Sequence, residues 1–146
     1  MRILGVDYGR ARIGIAVSDP TGLVAQQLTV LRREDDEQAA KAIAELAREH
    51  RVDEIVVGHP KNMNGSVGER AAQCEAFADL LRRRTGLPVA LYDERLTTVA
   101  AERMLVSADV SRRRRRQVID AVAATVLLQG YLDWRRAQAQ KRGGGD

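Results

Sequence analysis

Ile3-Leu4-Gly5-Val6-Asp7-Tyr8-Gly9-Arg10-Ala11-Arg12-Ile13-Gly14-Ile15-Ala16-Val17-Ser18 is the stretch whose reading decides the fold. It reads as two apolar strands joined by a tight, glycine-containing turn. Side chains alternate between faces along a strand, so Leu4, Val6 and Tyr8 share one face and Ile3, Gly5 and Asp7 the other. Asp7 is a carboxylate where the pattern calls for a hydrophobe. Burying a carboxylate is costly unless it is hydrogen-bonded, paired or bound to a metal. Gly5 and Gly9 flank it, and glycine in a strand often marks close approach by a ligand or another backbone. Two readings stand: an aspartate that starts a hairpin turn, or a metal-holding carboxylate at the tip of a central strand.

Working outward, Asp19-Pro20-Thr21-Gly22 is a turn and Leu23 to Leu31 a third, less regular strand. Glu34-Asp35-Asp36-Glu37 precedes Ala39, Ala40, Ile43, Leu46 and Ala47, which have helical spacing. Those acids sit at the positive end of a helix dipole and read as capping, not as a metal site. Glu54 to Gly58 is a short continuous apolar strand, as in a sheet covered on both faces. It feeds the loop from His59 to Gly65, after which Ser66 and Glu69 read as a Ser-x-x-Glu capping box. The helix that follows is expected to bury Val67, Ala71, Cys74, Ala78 and Leu81 and to end before Gly86 and Pro88. Val89 to Asp93 is a further strand. Thr98 reads as the cap of a helix over about Val99 to Ser107. Five arginines, Arg112 to Arg116, lead into a long helix from about Gln117 to Ala137.

This order of elements predicts a mixed α/β fold. The first three strands form an antiparallel meander, and the last two, joined by helical crossovers, lie parallel. The domain is read as residues 1–138, with 139–146 a flexible C-terminal tail. The chain has 146 residues, 45% apolar and 30% charged, which suits one domain with a proper core. Its net charge of +4 favours a polyanionic partner, chiefly nucleic acid. No apolar run is long enough to span a membrane, and no signal-peptide pattern opens the chain. A single cysteine points to the reducing cytoplasm. No His/Cys cluster has zinc spacing, so any metal site is built from carboxylates, which suit Mg²⁺ or Mn²⁺.

Three acids stand where apolar or neutral residues are expected. Asp7 is the first. Glu94 lies just beyond the strand from Val89 to Asp93. Asp120 lies on the last helix in line with Ala123, Ala124 and Leu127. Ala121, Ala123 and Ala124 are small enough to let that helix approach the sheet closely. If the three acids converge, a divalent cation relieves their repulsion, and a metal pair roughly 3.5–4 Å apart suits phosphodiester cleavage. Asp93 points away from Glu94 and reads as structural.

Four stretches carry a family resemblance: Gly5-Val6-Asp7-Tyr8-Gly9 with Arg12-Ile13-Gly14-Ile15-Ala16; Ile55-Val56-Val57-Gly58 through Pro60, Asn62-Met63 and Gly65; Asp93-Glu94-Arg95-Leu96-Thr97-Thr98; and Asp120-Ala121-Val122-Ala123-Ala124 with Leu127-Leu128-Gln129-Gly130-Tyr131-Leu132. In order and over nearly the whole chain they resemble the YqgF/RuvX family of RNase H-like nucleases, relatives of the RuvC Holliday-junction resolvases. The resemblance implies an RNase H-like (RuvC-like) α/β fold, a five-stranded mixed sheet flanked by helices. It implies Asp7, Glu94 and Asp120 as catalytic, metal-binding acids. It also implies 5′-end processing of precursor 16S ribosomal RNA, with Holliday-junction cleavage of branched DNA as the alternative. Two departures mark this chain. His59 stands where the family usually has an apolar residue, and Ala123 and Ala124 stand where resolvase relatives carry a further acid or histidine.

Nucleic-acid contacts are assigned to Arg10 and Arg12 at the first turn, Lys61, Asn62 and Asn64 in a loop after a strand end, Arg95, and the run Arg112, Arg113, Arg114, Arg115 and Arg116. The run also reads as a solvated face, and Arg95 as a carboxylate's partner. Arg82-Arg83-Arg84 complements a helix dipole, and Cys74 reads as a small core residue. His50 reads as structural; His59 is open between structure and proton transfer. Aromatics are 3% of the chain, which predicts no stacking platform. The expected partners are RNA ahead of branched DNA and ribosomal precursor particles, with the chain a monomer or weak homodimer. Two other classes remain. An Asp-x-Gly after a first strand also opens the sugar-kinase, Hsp70 and actin nucleotide-binding fold, but that fold needs two such domains. A non-catalytic ribosome-assembly factor would keep the fold without turnover.

Overall fold

A computed structural model describes residues 1–60, 67–93 and 112–144, the last as a helix whose side chains are described over 122–141. Five strands, β1 (Ile3–Tyr8), β2 (Arg12–Ser18), β3 (Ala25–Arg32), β4 (Glu54–His59) and β5 (Val89–Asp93), form one sheet in the order β3-β2-β1-β4-β5. β1 is central. It pairs antiparallel with β2 and parallel with β4, β2 pairs antiparallel with β3, and β4 parallel with β5. Helices α1 (Asp36–Glu49) and α2 (Glu69–Thr85) cover one face, and α3 (Arg112–Gly144) covers the other over β1, β2 and β3. This is the mixed, five-stranded, helix-flanked sheet that the sequence predicts. Among the described residues no helix is long and apolar enough to cross a membrane.

The two faces follow from strand alternation. Leu4, Val6 and Tyr8 of β1 join Ile13, Ile15, Ile55 and Val57 beneath Ile43, Phe77 and Leu81 of α1 and α2. Ile3, Ala16 and Val56 pack instead against Ala124, Leu128 and Leu132 of α3. Asp35 caps α1, its carboxylate accepting from the Glu37 N–H at 3.0 Å, so the acidic run does cap the helix. Cys74 is 1% exposed, the core residue that its position on the stripe implies.

The capping-box reading is corrected. α2 begins at Glu69 after Gly68, which takes an extended conformation and makes no side-chain cap bond. Glu69 is therefore the first helical residue, not the third, and Val67 precedes the helix and is exposed. Ser66 lies outside the described residues, as do Thr98 and the helix expected over Val99 to Ser107. α3 is longer than its apolar stripe suggests: it takes in the five arginines and runs past Ala137 to Gly144. Arginine, alanine and glutamine are good helix formers, so these turns form without an apolar face to bury.

Candidate active site

Asp7 is the next to last residue of the central strand, half-buried, with Gly14 opposite it in β2. It lies on the α3 side of the sheet, with Ile3 and Gly5. α3 lies close against Gly5. A Cβ there would stand 2.8 Å from Leu128 Cβ and 3.4 Å from the Ala124 carbonyl oxygen. Both Ala123 and Ala124 are buried, so the small residues of α3 do permit close approach to the sheet.

α3 is also fixed at other levels of the sheet. Gln129 accepts from the Ala25 N–H at 2.9 Å and donates to the Leu23 carbonyl at 3.0 Å. Glu54, the register partner of Ile3 in β4, accepts from the Tyr131 hydroxyl at 3.2 Å and pairs with Arg135. The helix therefore runs antiparallel to β1. Residues around 131–135 lie level with Ile3, and Ala124 and Leu128 lie level with Gly5. Asp120 belongs to α3 one turn before Ala124; its side chain, Glu94, Lys61, Asn62, Asn64 and Arg95 lie outside the described residues. Glu94 directly follows Asp93, which pairs with His59 at the end of β5. Among the described residues no three His, Cys, Asp or Glu side chains gather as a metal site.

The turn after Asp7 is braced. The Gly9 N–H donates to the Arg12 carbonyl at 2.9 Å, and a Cβ on Gly9 would fall 2.5 Å from that oxygen, so only glycine fits. The Arg33 guanidinium lies 4.0 Å from the centre of the Tyr8 ring, donates to the Gly9 carbonyl at 3.1 Å and meets Asp36 at 3.3 Å. The Tyr8 hydroxyl donates to Asp36 at 2.7 Å, and its ring stacks on Phe77 at 4.3 Å. Burial and the Asp36 hydrogen bond hold the Tyr8 phenol well above its ordinary range. Arg10, at the tip of this rigid turn, is exposed, and Arg12 is half-buried. Of Arg112, Arg113, Arg114, Arg115 and Arg116 only the helical backbone is described.

His59 belongs to the opposite face. It alternates in β4 with Ile55 and Val57, is buried, and its Nε2 lies 2.9 Å from Glu75 Oε1 of α2. It thus holds α2 to the sheet on the side away from Asp7. Tyr92, Tyr131 and Trp134 gather beside β5 with centroids 5.7–6.4 Å apart, and Trp134 is exposed. Composition does not show this, because a few aromatics spread along the sequence can still meet in space; Tyr131 and Trp134, i and i+3 on a helix, are the local sign.

A family model described as "RuvX: Holliday junction resolvase" matches residues 1–134. The chain belongs to the RuvX family. A relative from Moorella thermoacetica, named "Putative pre-16S rRNA nuclease", is 58% identical over 133 residues, 91% of this chain and 95% of the relative. One of the same name from Symbiobacterium thermophilum is 54% identical over 138 residues, 94% and 96% of the two chains. Among solved structures, RuvC of Thermus thermophilus in complex with a Holliday junction substrate aligns with TM-score 0.55 at 18% identity, covering 93% of this chain and 96% of that one. The Fowlpox virus resolvase complexed with junction DNA gives 0.56 at 11%, covering 91% and 97%. These two show the fold of the RuvX family member to be RuvC-like, with the same RNase H-like sheet.

Proposed function

We propose that this chain is a divalent-metal-dependent nuclease that processes the 5′ end of precursor 16S ribosomal RNA in the cytoplasm. It hydrolyses phosphodiester bonds of nucleic acid, as its family does. The observation that carries the reading is Asp7: a carboxylate at the end of the central strand, on the face that α3 approaches through glycine and alanine. The register of the two elements supports the rest of the site. Two residues of strand advance about 6.6 Å, and four residues of helix about 6 Å. Gly5 faces the turn of Ala124, so the step from Gly5 to Asp7 matches the step from Ala124 to Asp120. Glu94 follows the end of β5, two strands from β1.

Three carboxylates form a hard oxygen donor set that fits Mg²⁺ or Mn²⁺ and no thiolate-seeking metal. When bound, such an ion supplies the positive charge that makes water a nucleophile at neutral pH and stabilises the leaving oxygen. Asp7, on the central strand, would fix the position of the site, with Glu94, which follows β5 in the sequence, and Asp120 of α3 as the other ligands. Arg10 and Arg12, on the braced turn, hold backbone phosphates beside the scissile bond, with Lys61, Asn62, Asn64, Arg95 and the arginine run extending that contact. The RNA substrate rests on the name of the relatives, and a monomer or weak dimer suffices for it.

The test is cleavage of precursor 16S RNA, single-stranded DNA and four-way junctions by purified protein with Mn²⁺, with chelator, and with Asp7→Asn. Chelation should abolish cleavage. Asp7→Asn should lower kcat/KM at least about a hundredfold, about 2.7 kcal/mol of transition-state stabilisation, with thermal stability equal or higher because like charges are relieved. Equal cleavage by both proteins would leave a binding factor. Paired nicks in junctions without RNA cleavage, by a stable dimer in sedimentation, would make it a resolvase.

A further inference from the structure

On the side of the sheet away from Asp7, α1 and the end of α2 border a groove of about 660 Å³. Buried Ala47 and Val52 lie at its floor. Lys41, Arg48 and Arg51 line it, all exposed and without an ion pair among the described residues. Arg84 closes the far wall, held by Glu37 at 2.6 Å.

Arg51 stands in an unusual backbone. Its φ is 53°, directly after the C-cap of α1. Its N–H donates to the Arg48 carbonyl at 3.2 Å and that of Val52 to the Ala47 carbonyl at 2.8 Å. That is the helix ending in which glycine is the usual residue, because an L side chain crowds the left-handed conformation. The chain has an arginine where glycine would be easier, and this arginine lines the groove.

The spacing of the cations says what they suit. Lys41 and Arg48 are seven residues apart, about 10 Å along the helix, and Arg51 lies almost a turn beyond. A lone anion is held by cations that converge; a row of this length matches a chain of anions. We propose that the groove binds backbone phosphates of the RNA substrate outside the segment being cut, a second contact surface on the face opposite Asp7. The proposal rests on the nuclease reading, whose family acts on nucleic acid; Glu37 is taken up by Arg84, and Lys41, Arg48 and Arg51, unpaired among the described residues, outnumber Asp35 on the groove wall and supply the charge complementarity.

The experiment follows a fluorescein-labelled single-stranded RNA binding to Asp7→Asn protein, by anisotropy across a salt series. Arg51→Gly should lower the slope of log affinity on log salt by about 0.7, with a melting temperature that does not fall. Lys41→Ala, Arg48→Ala and Arg51→Gly together should lower it by roughly 2. With Asp7 restored, the same three changes should raise KM for a long RNA and leave kcat unchanged. An unchanged slope in the triple variant overturns the proposal. So does polyglutamate binding more tightly than RNA in a way the three substitutions abolish, since the groove would then serve an acidic protein. If the slope falls as expected but protein with Asp7 cuts no RNA, the groove stands and the nuclease reading fails.

Discussion

The two faces of β1 are built differently. Towards α1 and α2 the strand presents Leu4, Val6 and Tyr8 to Phe77, Leu81 and Ile43, large side chains buried almost completely. Towards α3 it presents Ile3, Gly5 and Asp7. There Gly5 admits Leu128, and polar ties hold the helix to the sheet: Gln129 on the start of β3, and Tyr131 on Glu54. Apolar area stabilises in proportion to what is removed from water, so the first face supplies the greater share of the stability. The second gives up bulk to let a helix approach, and it is the face on which a half-buried carboxylate sits. The fold thus assigns stability and chemistry to opposite sides of a single strand.

The largest expected effect on stability tests the first side. Phe77→Ala removes the ring that stacks on Tyr8 and should cost about 3–5 kcal/mol, read by urea unfolding. Cleavage per folded molecule should be unchanged. If the folded variant loses cleavage as well, the two sides are not independent.

Gly5→Ala tests the second side. Its Cβ would lie 2.8 Å from that of Leu128, and overpacking of this kind costs about 1–3 kcal/mol. Here cleavage should fall further than stability, because the displaced helix carries Asp120. A variant that unfolds more easily yet cuts RNA at the wild-type rate would separate α3 from the active site.

A third experiment concerns the start of α3. Arg113, Arg114 and Arg115 changed together to Ala should lower the salt slope of RNA binding by roughly 2 with little effect on unfolding. An unchanged slope would make the run a solvated face. Lost together with the groove variants of α1, the two decrements should add, since they lie on opposite faces of the sheet.

The sheet was legible in the sequence because β1 and β2 are near-continuous apolar runs, buried on both faces and set off by glycine and turn residues. Asp7 was legible for the same reason: a charged residue in an apolar strand breaks a regular pattern. The start of α2 was not, because Ser66 and Glu69 meet the capping-box spacing while Gly68, which ends the extended segment, outweighs it. The length of α3 was not either, because periodicity reports the buried stripe and says nothing of turns that project beyond the core. His59 and Glu75 are sixteen residues apart and meet only through the packing of α2 on β4. No local pattern holds that information, nor does any set Arg84 of α2 across from Lys41, Arg48 and Arg51.

The smallest effect compares the faces through one tyrosine on each. Tyr8 donates to Asp36 on the α1 side, and Tyr131 to Glu54 on the α3 side. Burial, and then the charge of Glu54, pushes the Tyr131 phenol up to about 12; burial and the bond to Asp36 push Tyr8 higher still. An unfolded tyrosine titrates near 10. Above about pH 10 the unfolded chain therefore loses protons that the native protein keeps. The unfolded state then binds fewer protons, so stability falls as pH rises, and the contribution is whole below that value. The loss is on the order of 1 kcal/mol for each tyrosine after allowance for the nearby arginines. Urea midpoints at about pH 9 and about pH 11 should thus converge in the Tyr8→Phe/Tyr131→Phe double variant and stay apart in the wild type. Tyr8→Phe alone and Tyr131→Phe alone should each remove about half of the difference, because both native phenols stay largely protonated at about pH 11. Equal steepness in all four proteins would mean that other groups govern the alkaline limb and that neither face senses it through its tyrosine.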